Sequence, residues 1–146
     1  MFLGSHEASF DAKSRVNFPA KLRDKVPEPE RKTFILACHP DRCLVLYTAS
    51  EWARITRDFD ERSRADASGW DPFFDRLLYA SAVEVDLDGA GRILVPEKLK
   101  RWASLGKNVV FAGVRNRIEI WDEERWNAEE TKRIESFTKM GKELLK

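Results

Sequence analysis

The sequence is poor in the residues on which thiol, metal and acid–base chemistry depend. It has two cysteines, Cys38 and Cys43, and two histidines, His6 and His39. Two thiols cannot build the dense disulfide framework of a small secreted domain. Two histidines leave little capacity for general acid–base catalysis, and the GxGxxG, HExxH and phosphate-loop motifs are absent. We therefore expect no enzymatic activity, no cofactor and no metal.

Long hydrophobic runs are also missing. The longest are short segments such as residues 34–38, whereas a membrane-spanning helix needs about 20 apolar residues. The first residues do not show the charged region, apolar stretch and small-residue cleavage site of a signal peptide. We therefore expect no membrane partner and a cytoplasmic location.

An excess of one charge is missing too, because the formal net charge is +1. A surface that binds nucleic acid would therefore have to come from local segregation of positive charge. The chain does have ample apolar material: 42% of its 146 residues are hydrophobic, including nine Phe and five Trp. This composition predicts a folded, soluble protein with a real core.

The chain contains an internal repeat. Residues 9–23 read SFDAKSRVNFPAKLR and residues 86–100 read DLDGAGRILVPEKLK, which share the frame D-x-x-x-R-x-x-x-P-x-K-L. Residues 34–52 align with residues 108–126, and both segments end on a tryptophan. The offset falls from 77 to 74 between the two blocks, because the first copy has an insertion near VPEPE. The two copies are therefore expected to fold into the same series of elements.

The first part of each copy predicts a turn, a strand and a short helix. Alternation at Val16 and Phe18 indicates a strand after a turn at residues 12–14, so the D-x-x-x-R frame spans a predicted β-hairpin. Pro19 and Pro96 are expected at the first position of a helix, where a missing N–H is tolerated. Gly106 is expected to end the second of these helices.

The second part of each copy predicts two strands and a helix. The strands are expected near residues 33–38, 43–47, 108–112 and 117–121. Thr48 and Asp122 stand where each following helix should be capped. Each copy therefore has the predicted order ββαββα, and the fold class is α+β.

Four segments follow from this pattern. The first repeat spans residues 5–55 and the second residues 83–126. Residues 56–82 form a linker and a connecting helix, which begins at Asp71-Pro72 and should be buried on one face. Residues 127–146 form a charged C-terminal helix with apolar positions such as Phe137, which suits packing against the body or a neighbouring chain.

The opening MFLG, the two D-x-x-x-R frames each followed by proline, and the period near 75 resemble the MraZ family over essentially the whole chain. The resemblance implies two interlocking ββαββ halves in one polypeptide, an AbrB/SpoVT-like double-psi or swapped-hairpin β-barrel with flanking helices. It also implies a transcriptional regulator, typically a repressor of the cell division and cell wall gene cluster that includes its own promoter. Such proteins form homo-oligomeric rings on G-rich direct repeats of double-stranded promoter DNA, which implies association with the nucleoid.

Two arginines are the leading candidates for DNA contact. A planar guanidinium can donate two parallel hydrogen bonds to guanine or clamp a phosphate, and Arg15 and Arg92 occupy the same place in the two frames. Lysines nearby would contact phosphates; the candidates are Lys13, Lys21 and Lys98.

Three further residues are expected to order the turns behind these arginines. Asp11 and Asp88 can accept backbone N–H groups and orient the arginine. Gly91 suits a positive φ, whereas the first copy has Ser14 where the family pattern has glycine. This departure could cost about 1 kcal/mol or change the turn type.

Three other interpretations are compatible with the sequence. Each Asp and Arg could form an ordinary hairpin ion pair without binding DNA. The segment from Cys38 through His39 to Cys43 could bind a metal, although the second copy has Ala112 and Arg117 at the aligned cysteine positions. An antitoxin-like protein-interaction module without DNA readout is the main alternative function, since the five tryptophans suit interfaces.

Overall fold

The computed structural model describes all 146 residues and has two similar halves that interlock. The first half comprises β1 (Ser5–Ser9), β2 (Arg15–Asn17), α1 (Ala20–Arg23), β3 (Thr33–His39), β4 (Cys43–Tyr47) and α2 (Ala49–Ala65). A connecting helix, α3 (Pro72–Ser81), leads to the second half. That half comprises β5 (Val83–Asp86), β6 (Arg92–Leu94), α4 (Glu97–Trp102), β7 (Asn108–Val114), β8 (Arg117–Asp122) and α5 (Glu123–Leu144). The predicted α+β class and the order ββαββα in each half are confirmed.

The strands form two antiparallel sheets whose order is symmetric between the halves. The larger sheet has the order β1-β7-β8-β4-β3-β5, and the smaller one pairs β2 with β6. The first strand of each half pairs with the third strand of the other half: β1 pairs with β7, and β5 with β3. Exchanging the halves therefore leaves the topology unchanged, which is the swapped arrangement implied by the resemblance.

The prediction of a simple hairpin across the D-x-x-x-R frame is wrong beyond the turn. The Asp11 N–H donates to the Arg15 carbonyl at 2.8 Å, and a single bridge joins Phe10 to Val16. The strand β2 then pairs with β6 of the other half, with Val16 opposite Ile93. Both of these side chains are fully buried, so pairing across the halves places them in the shared core.

The core is built from both halves. Its largest cluster contains 19 buried residues, and Phe18 lies at a junction between the two repeats. The Phe18 ring lies 5.1 Å from that of Phe34 in its own half and 6.0 Å from that of Phe111 in the other half, measured between centroids. Because neither half buries this cluster alone, we expect the repeats to fold as one unit.

The predicted helix starts are confirmed by their caps. The Thr48 hydroxyl accepts the Glu51 N–H at 3.2 Å, and an Asp122 carboxylate oxygen accepts the Arg125 N–H at 3.3 Å. Before α3, the Asp71 carboxylate accepts an N–H from the first helical turn at 2.9 Å. Each cap satisfies a backbone donor that the helix itself leaves unpaired.

Two predictions about α1 and α4 are wrong in detail. Pro19 and Pro96 are N-caps with extended backbone angles, one residue before the helices begin. The helix α4 ends at Trp102 rather than near Gly106, because Ser104 adopts the left-handed backbone conformation with φ of 50°. The Gly106 N–H instead donates to the Asp122 side chain at 2.9 Å.

The helix α3 does not bury a face, contrary to the prediction. It touches α2 through an aromatic cluster in which Phe74 lies 5.5 Å from Phe59 and 5.6 Å from Trp70. Phe73 and Leu77 nevertheless remain 53% and 55% exposed. The contact with α2 is too narrow to cover the apolar side chains that the sequence pattern assigned to a core.

The helix α5 contacts the body only near its start. Trp126 packs against Trp121 of β8 at 5.8 Å between ring centroids. All side chains from 131 to 140 are exposed, and Phe137 is exposed to 69%. None of the helices combines the length and the apolar character that a membrane crossing requires.

Candidate nucleic-acid interface

The first D-x-x-x-R turn is held by one carboxylate. The Asp11 Oδ1 atom accepts the backbone N–H groups of Lys13 and Arg15, both at 2.9 Å. Its Oδ2 atom accepts the Arg15 side-chain Nε–H at 2.8 Å. The backbone turn and the arginine side chain are thus fixed by the same group.

The second turn repeats this geometry atom for atom. The Asp88 Oδ1 atom accepts the N–H groups of Ala90 and Arg92 at 2.9 Å, and its Oδ2 atom accepts the Arg92 Nε–H at 2.9 Å. Ser14 and Gly91 occupy equivalent positions with φ of 60° and 78°. Serine therefore adopts the same left-handed conformation that glycine adopts in the second copy, and the turn type is unchanged.

Hydrogen bonding holds both aspartates in the charged form. The backbone N–H of Arg15, with further contributions from the Arg15 side chain and Lys13, lowers the pKa of Asp11. The backbone N–H of Arg92, followed by that of Ala90 and the Arg92 side chain, lowers the pKa of Asp88. Donors to an ionised carboxylate favour that form. Both carboxylates are therefore ionised acceptors at neutral pH.

The ends of the two guanidinium groups are left for other partners. Arg15 and Arg92 use Nε for their aspartates and make no hydrogen bond within the protein through Nη1 or Nη2. Their side chains are about one-third exposed, at 32% and 31%. Each aspartate thus orients an arginine whose forked end can still donate two hydrogen bonds.

The two turns lie next to each other. Arg92 Nη1 is 3.8 Å from Asp11 Oδ2, so the arginine of the second half also faces the aspartate of the first half. The ion pairs are partly exposed, and pairs of this kind contribute little to stability. Their clearest effect is to position two guanidinium groups side by side.

The ribbon formed by β2 and β6 carries these arginines on its outer face. Val16 and Ile93 point inward and are buried, so their neighbours along each strand point outward. Arg15 lies opposite Leu94, and Asn17 lies opposite Arg92. The outer face therefore has four side chains: Arg15, Asn17, Arg92 and Leu94. Asn17 and Leu94 are not among the residues predicted from the sequence, although the alternation around Val16 and Ile93 places them on the same face as the arginines.

In each half, a cationic side chain from the short helix lies against the turn of the other half. The Lys100 Nζ group donates to the Ser14 hydroxyl at 3.2 Å and lies 4.3 Å from the centroid of the Phe10 ring. At the equivalent position, the Arg23 Nη1 atom occupies the space where a side chain on Gly91 would begin. The sequence showed these cations but not that they cross between the halves.

The three candidate lysines lie in different places. Lys13 is exposed in the first turn, within the same loop as Arg15. Lys21 is exposed on α1 and lines a groove with β1 and the start of α5. Lys98 is exposed on α4, where its charge acts on the thiol of Cys38 in β3. Lys13 therefore lies in the same loop as Arg15, whereas Lys21 and Lys98 lie on helices outside the two turns.

The segment from Cys38 to Cys43 is a tight connection between β3 and β4. Cys43 is fully buried, Cys38 is half-buried, and the His39 ring accepts the Asp41 N–H at 3.1 Å. Nowhere in the chain do three or more histidine, cysteine or carboxylate side chains cluster as metal ligands would. This geometry gives the metal-site reading no support.

A comparison with protein families matches the chain twice. Residues 1–69 and residues 78–146 each match the MraZ protein family, described as antitoxin-like. The chain belongs to the MraZ family. The two matches correspond to the two halves of the structure, and only residues 70–77, around the start of α3, lie outside them. The tandem organisation predicted from the MraZ resemblance is confirmed.

Membership gives the chain a general role. The MraZ family is a regulator-type, antitoxin-like family rather than a family of enzymes. The oriented cations on the β2–β6 ribbon are compatible with a regulatory role.

Proposed function

We propose that the protein is a sequence-selective DNA-binding transcriptional regulator that represses the cell division and cell wall gene cluster containing its own promoter. One observation carries this proposal: two turns of the same geometry hold Arg15 and Arg92 side by side, and Nη1 and Nη2 of each arginine make no hydrogen bond within the protein. A guanidinium presented in this way can donate two hydrogen bonds to O6 and N7 of guanine in the major groove. Two such groups suit a G-rich operator.

The shape of the site supports groove binding. The major groove of B-DNA is about 12 Å wide and admits a two-stranded β-ribbon. The β2–β6 ribbon and its two turns form an exposed face of this kind. Because the aspartates fix the arginines before DNA arrives, less side-chain entropy is lost on binding.

Local charge supports the proposal despite the net charge of +1. Cationic side chains outnumber carboxylates around the turns. The cations are Lys13, Arg15, Arg23, Arg92 and Lys100, and the carboxylates are Asp11, Asp88 and Glu97. Because the aspartates are already occupied, the surplus positive charge would face phosphates. Lys13 is the best placed of the lysines for such a contact; Lys21 and Lys98 would contact DNA only beyond the ribbon.

Homo-oligomerisation would supply the affinity that one ribbon lacks. A module with few phosphate contacts binds weakly at physiological salt, and several linked modules gain from effective concentration. The exposed apolar faces of α3 and α5, which include Leu77 and Phe137, would bind neighbouring copies in a ring. Direct repeats about 10–10.5 base pairs apart would face such a ring from one side of the duplex. A regulator bound in this way would be associated with the nucleoid.

Fluorescence-anisotropy titration tests the proposal. The protein is titrated at fixed salt with its own upstream promoter DNA and with a shuffled duplex of the same composition. We expect promoter-selective binding that falls about 10-fold or more in Arg15→Ala and in Arg92→Ala, since each removes a potential bidentate contact. Arg64→Ala is the matched control, because Arg64 is an exposed arginine of α2 that is also paired with a carboxylate four residues away.

Equal, negligible binding to both duplexes would contradict DNA regulation. Selective binding that is unchanged in Arg15→Ala and Arg92→Ala would show that other residues read the operator. A loss of the same size in Arg64→Ala would mean that net charge, rather than the ribbon, is responsible.

An antitoxin-like interaction module is the second candidate. It is favoured by the family description and by the apolar side chains that α5 leaves exposed, such as Ile134 and Phe137. In that case α5 would bind a different protein, and the ribbon arginines would not affect it. The promoter titration separates the two candidates, because only the regulator requires Arg15 and Arg92.

A further inference from the structure

The outer face of the β2–β6 ribbon is symmetric in its arginines but not in the residues beside them. Arg15 and Arg92 occupy equivalent positions, and so do Asn17 and Leu94. Asn17 is exposed, and Leu94 is exposed to 55%. If the two halves are superimposed, Arg15 therefore coincides with Arg92, but the amide of Asn17 coincides with the aliphatic side chain of Leu94.

These two side chains contribute neither to the core nor to a side-chain hydrogen bond. Neither Asn17 nor Leu94 belongs to the core cluster, and the Asn17 amide forms no side-chain hydrogen bond. Each lies across the ribbon from an arginine: Leu94 is opposite Arg15, and Asn17 is opposite Arg92. Directly opposed residues of an antiparallel pair have Cβ atoms about 4.5–5.5 Å apart. Any base edge that an arginine contacts would therefore lie near one of these two side chains.

The two side chains have different preferences for bases. An asparagine amide matches the N6 and N7 atoms of adenine, to which it can form two hydrogen bonds. An aliphatic side chain has no polar group to offer and packs instead against the thymine methyl group. The ribbon therefore places one polar side chain, Asn17, and one apolar side chain, Leu94, beside two arginines that both suit guanine.

We propose that Asn17 and Leu94 determine the direction in which the ribbon binds its operator. With arginines alone, the pseudo-twofold ribbon would bind equally well in either orientation. Asn17 selects the base pair beside the one contacted by Arg92, and Leu94 selects the base pair beside the one contacted by Arg15. The inference rests on the proposed function, because it assumes that the ribbon enters the major groove.

A third difference between the halves does not supply this direction. Lys13 of the first turn is matched by Ala90 of the second. A lysine at the tip of a turn contacts phosphates, which position the protein but carry no sequence information directly. Lys13→Ala therefore serves as a matched control on the same face.

The test measures a base-preference profile. The relative affinity for every single-base-pair substitution of the promoter operator is determined by competition anisotropy for the wild-type protein, Asn17→Leu, Leu94→Asn and the double exchange Asn17→Leu/Leu94→Asn. We expect a profile that is asymmetric about the operator centre in the wild type and reversed in the double exchange. At the affected base pairs the preference should change about 10-fold, within the usual range for one base contact. Lys13→Ala should weaken binding to all the duplexes alike.

The outcomes separate this inference from the proposed function. A wild-type protein that binds selectively, with the same profile in all three variants, would overturn the role of Asn17 and Leu94 and leave DNA regulation standing. A wild-type protein with no selective binding would overturn both. Thermal melting followed by circular dichroism checks that the variants fold, and we expect unchanged midpoints because both side chains are exposed.

Discussion

Lys100 of the second half donates a hydrogen bond to the hydroxyl of Ser14 in the first half, across a distance of 3.2 Å. Ser14 in turn donates to Glu97 of the second half at 3.0 Å. The serine that replaces the glycine of the family pattern thus joins the first turn to α4. At the equivalent site, Gly91 leaves room for Arg23. Each turn is supported by the helix of the other repeat, so the geometry of either arginine depends on both halves.

The two turns should respond differently to alanine. At Gly91, alanine would adopt φ near 78° and displace the Arg23 guanidinium, and we expect a loss of about 1–2 kcal/mol of unfolding free energy. At Ser14 a side chain is already accommodated, so Ser14→Ala should cost only its exposed hydrogen bonds, about 0.5–1 kcal/mol. Urea denaturation of both variants at one protein concentration measures the difference. Equal losses would contradict a specific cost of the left-handed conformation and of the displaced Arg23 at Gly91.

Asp11→Asn should reduce selectivity more than affinity. The asparagine oxygen can still accept backbone N–H groups, but the variant loses the charged acceptor for Arg15 Nε and the charge facing Arg92. The loss of a negative charge should maintain or raise binding to the shuffled duplex, whereas the misoriented arginine weakens promoter binding. The ratio of the two affinities measures this effect. A ratio equal to that of the wild type would show that Asp11 does not orient the arginine for DNA.

Acid should remove the contribution of the two aspartates to stability. Because the folded pKa values of Asp11 and Asp88 lie below the ordinary value of about 3.9, their stabilisation is complete above that value and is lost as the pH falls through the folded pKa values. The advantage of the wild type over Asp11→Asn/Asp88→Asn should therefore shrink below about pH 4. Urea denaturation of both proteins between neutral and acidic pH measures this advantage as a difference in unfolding free energy. A difference that does not change with pH would contradict the prediction.

The two thiols should differ in reactivity. Burial raises the pKa of Cys43 to about 12 and also raises that of Cys38, which is half-buried. Only the thiolate reacts, and the buried Cys43 is also inaccessible. With Ellman's reagent at pH 8 we expect slow labelling of Cys38 and none of Cys43 until the protein unfolds. The Cys38→Ser variant is the control, and rapid labelling of this variant in its native state would contradict the buried position of Cys43.

Charge on the apolar face of α5 should disrupt self-association without unfolding the body. Ile134 and Phe137 are exposed to 57% and 69%, so glutamate at Phe137 should leave the unfolding of the body nearly unchanged. Sedimentation velocity should show smaller species for Phe137→Glu than for the wild type. Lys132→Glu is the control, because Lys132 lies on the opposite side of the helix at 3.6 residues per turn. A Phe137→Glu protein with wild-type assembly would exclude this face as the contact.

Several features could be predicted because their signals are local. The Thr48 and Asp122 caps were found because a cap involves residues within one helical turn. The turns containing Asp11 and Asp88 were found because each carboxylate binds groups two and four residues away. The equivalent arginines were identified by the repeat, which needs no knowledge of contacts.

Other features depended on packing between distant segments. The apolar pattern of α3 predicted burial, yet Phe73 and Leu77 are exposed, because no second element of the chain covers them. The spacing of apolar residues predicts that one face of a helix is apolar, but it does not predict which element packs against that face. Lys21 and Lys98 looked equivalent to Lys13 in sequence, but they lie on helices whose direction is set by the core.

The sequence by itself determined the two repeats, the type and order of their elements, and the residues at each turn, because these follow from interactions over a few positions along the chain. Only the tertiary structure decided that β1 pairs with β7 and β2 with β6 of the other half. It also decided that Arg92 faces Asp11 and that Asn17 and Leu94 flank the arginines. These relationships join residues 75 to 107 positions apart, and they arise because neither repeat can bury its apolar side chains without the other.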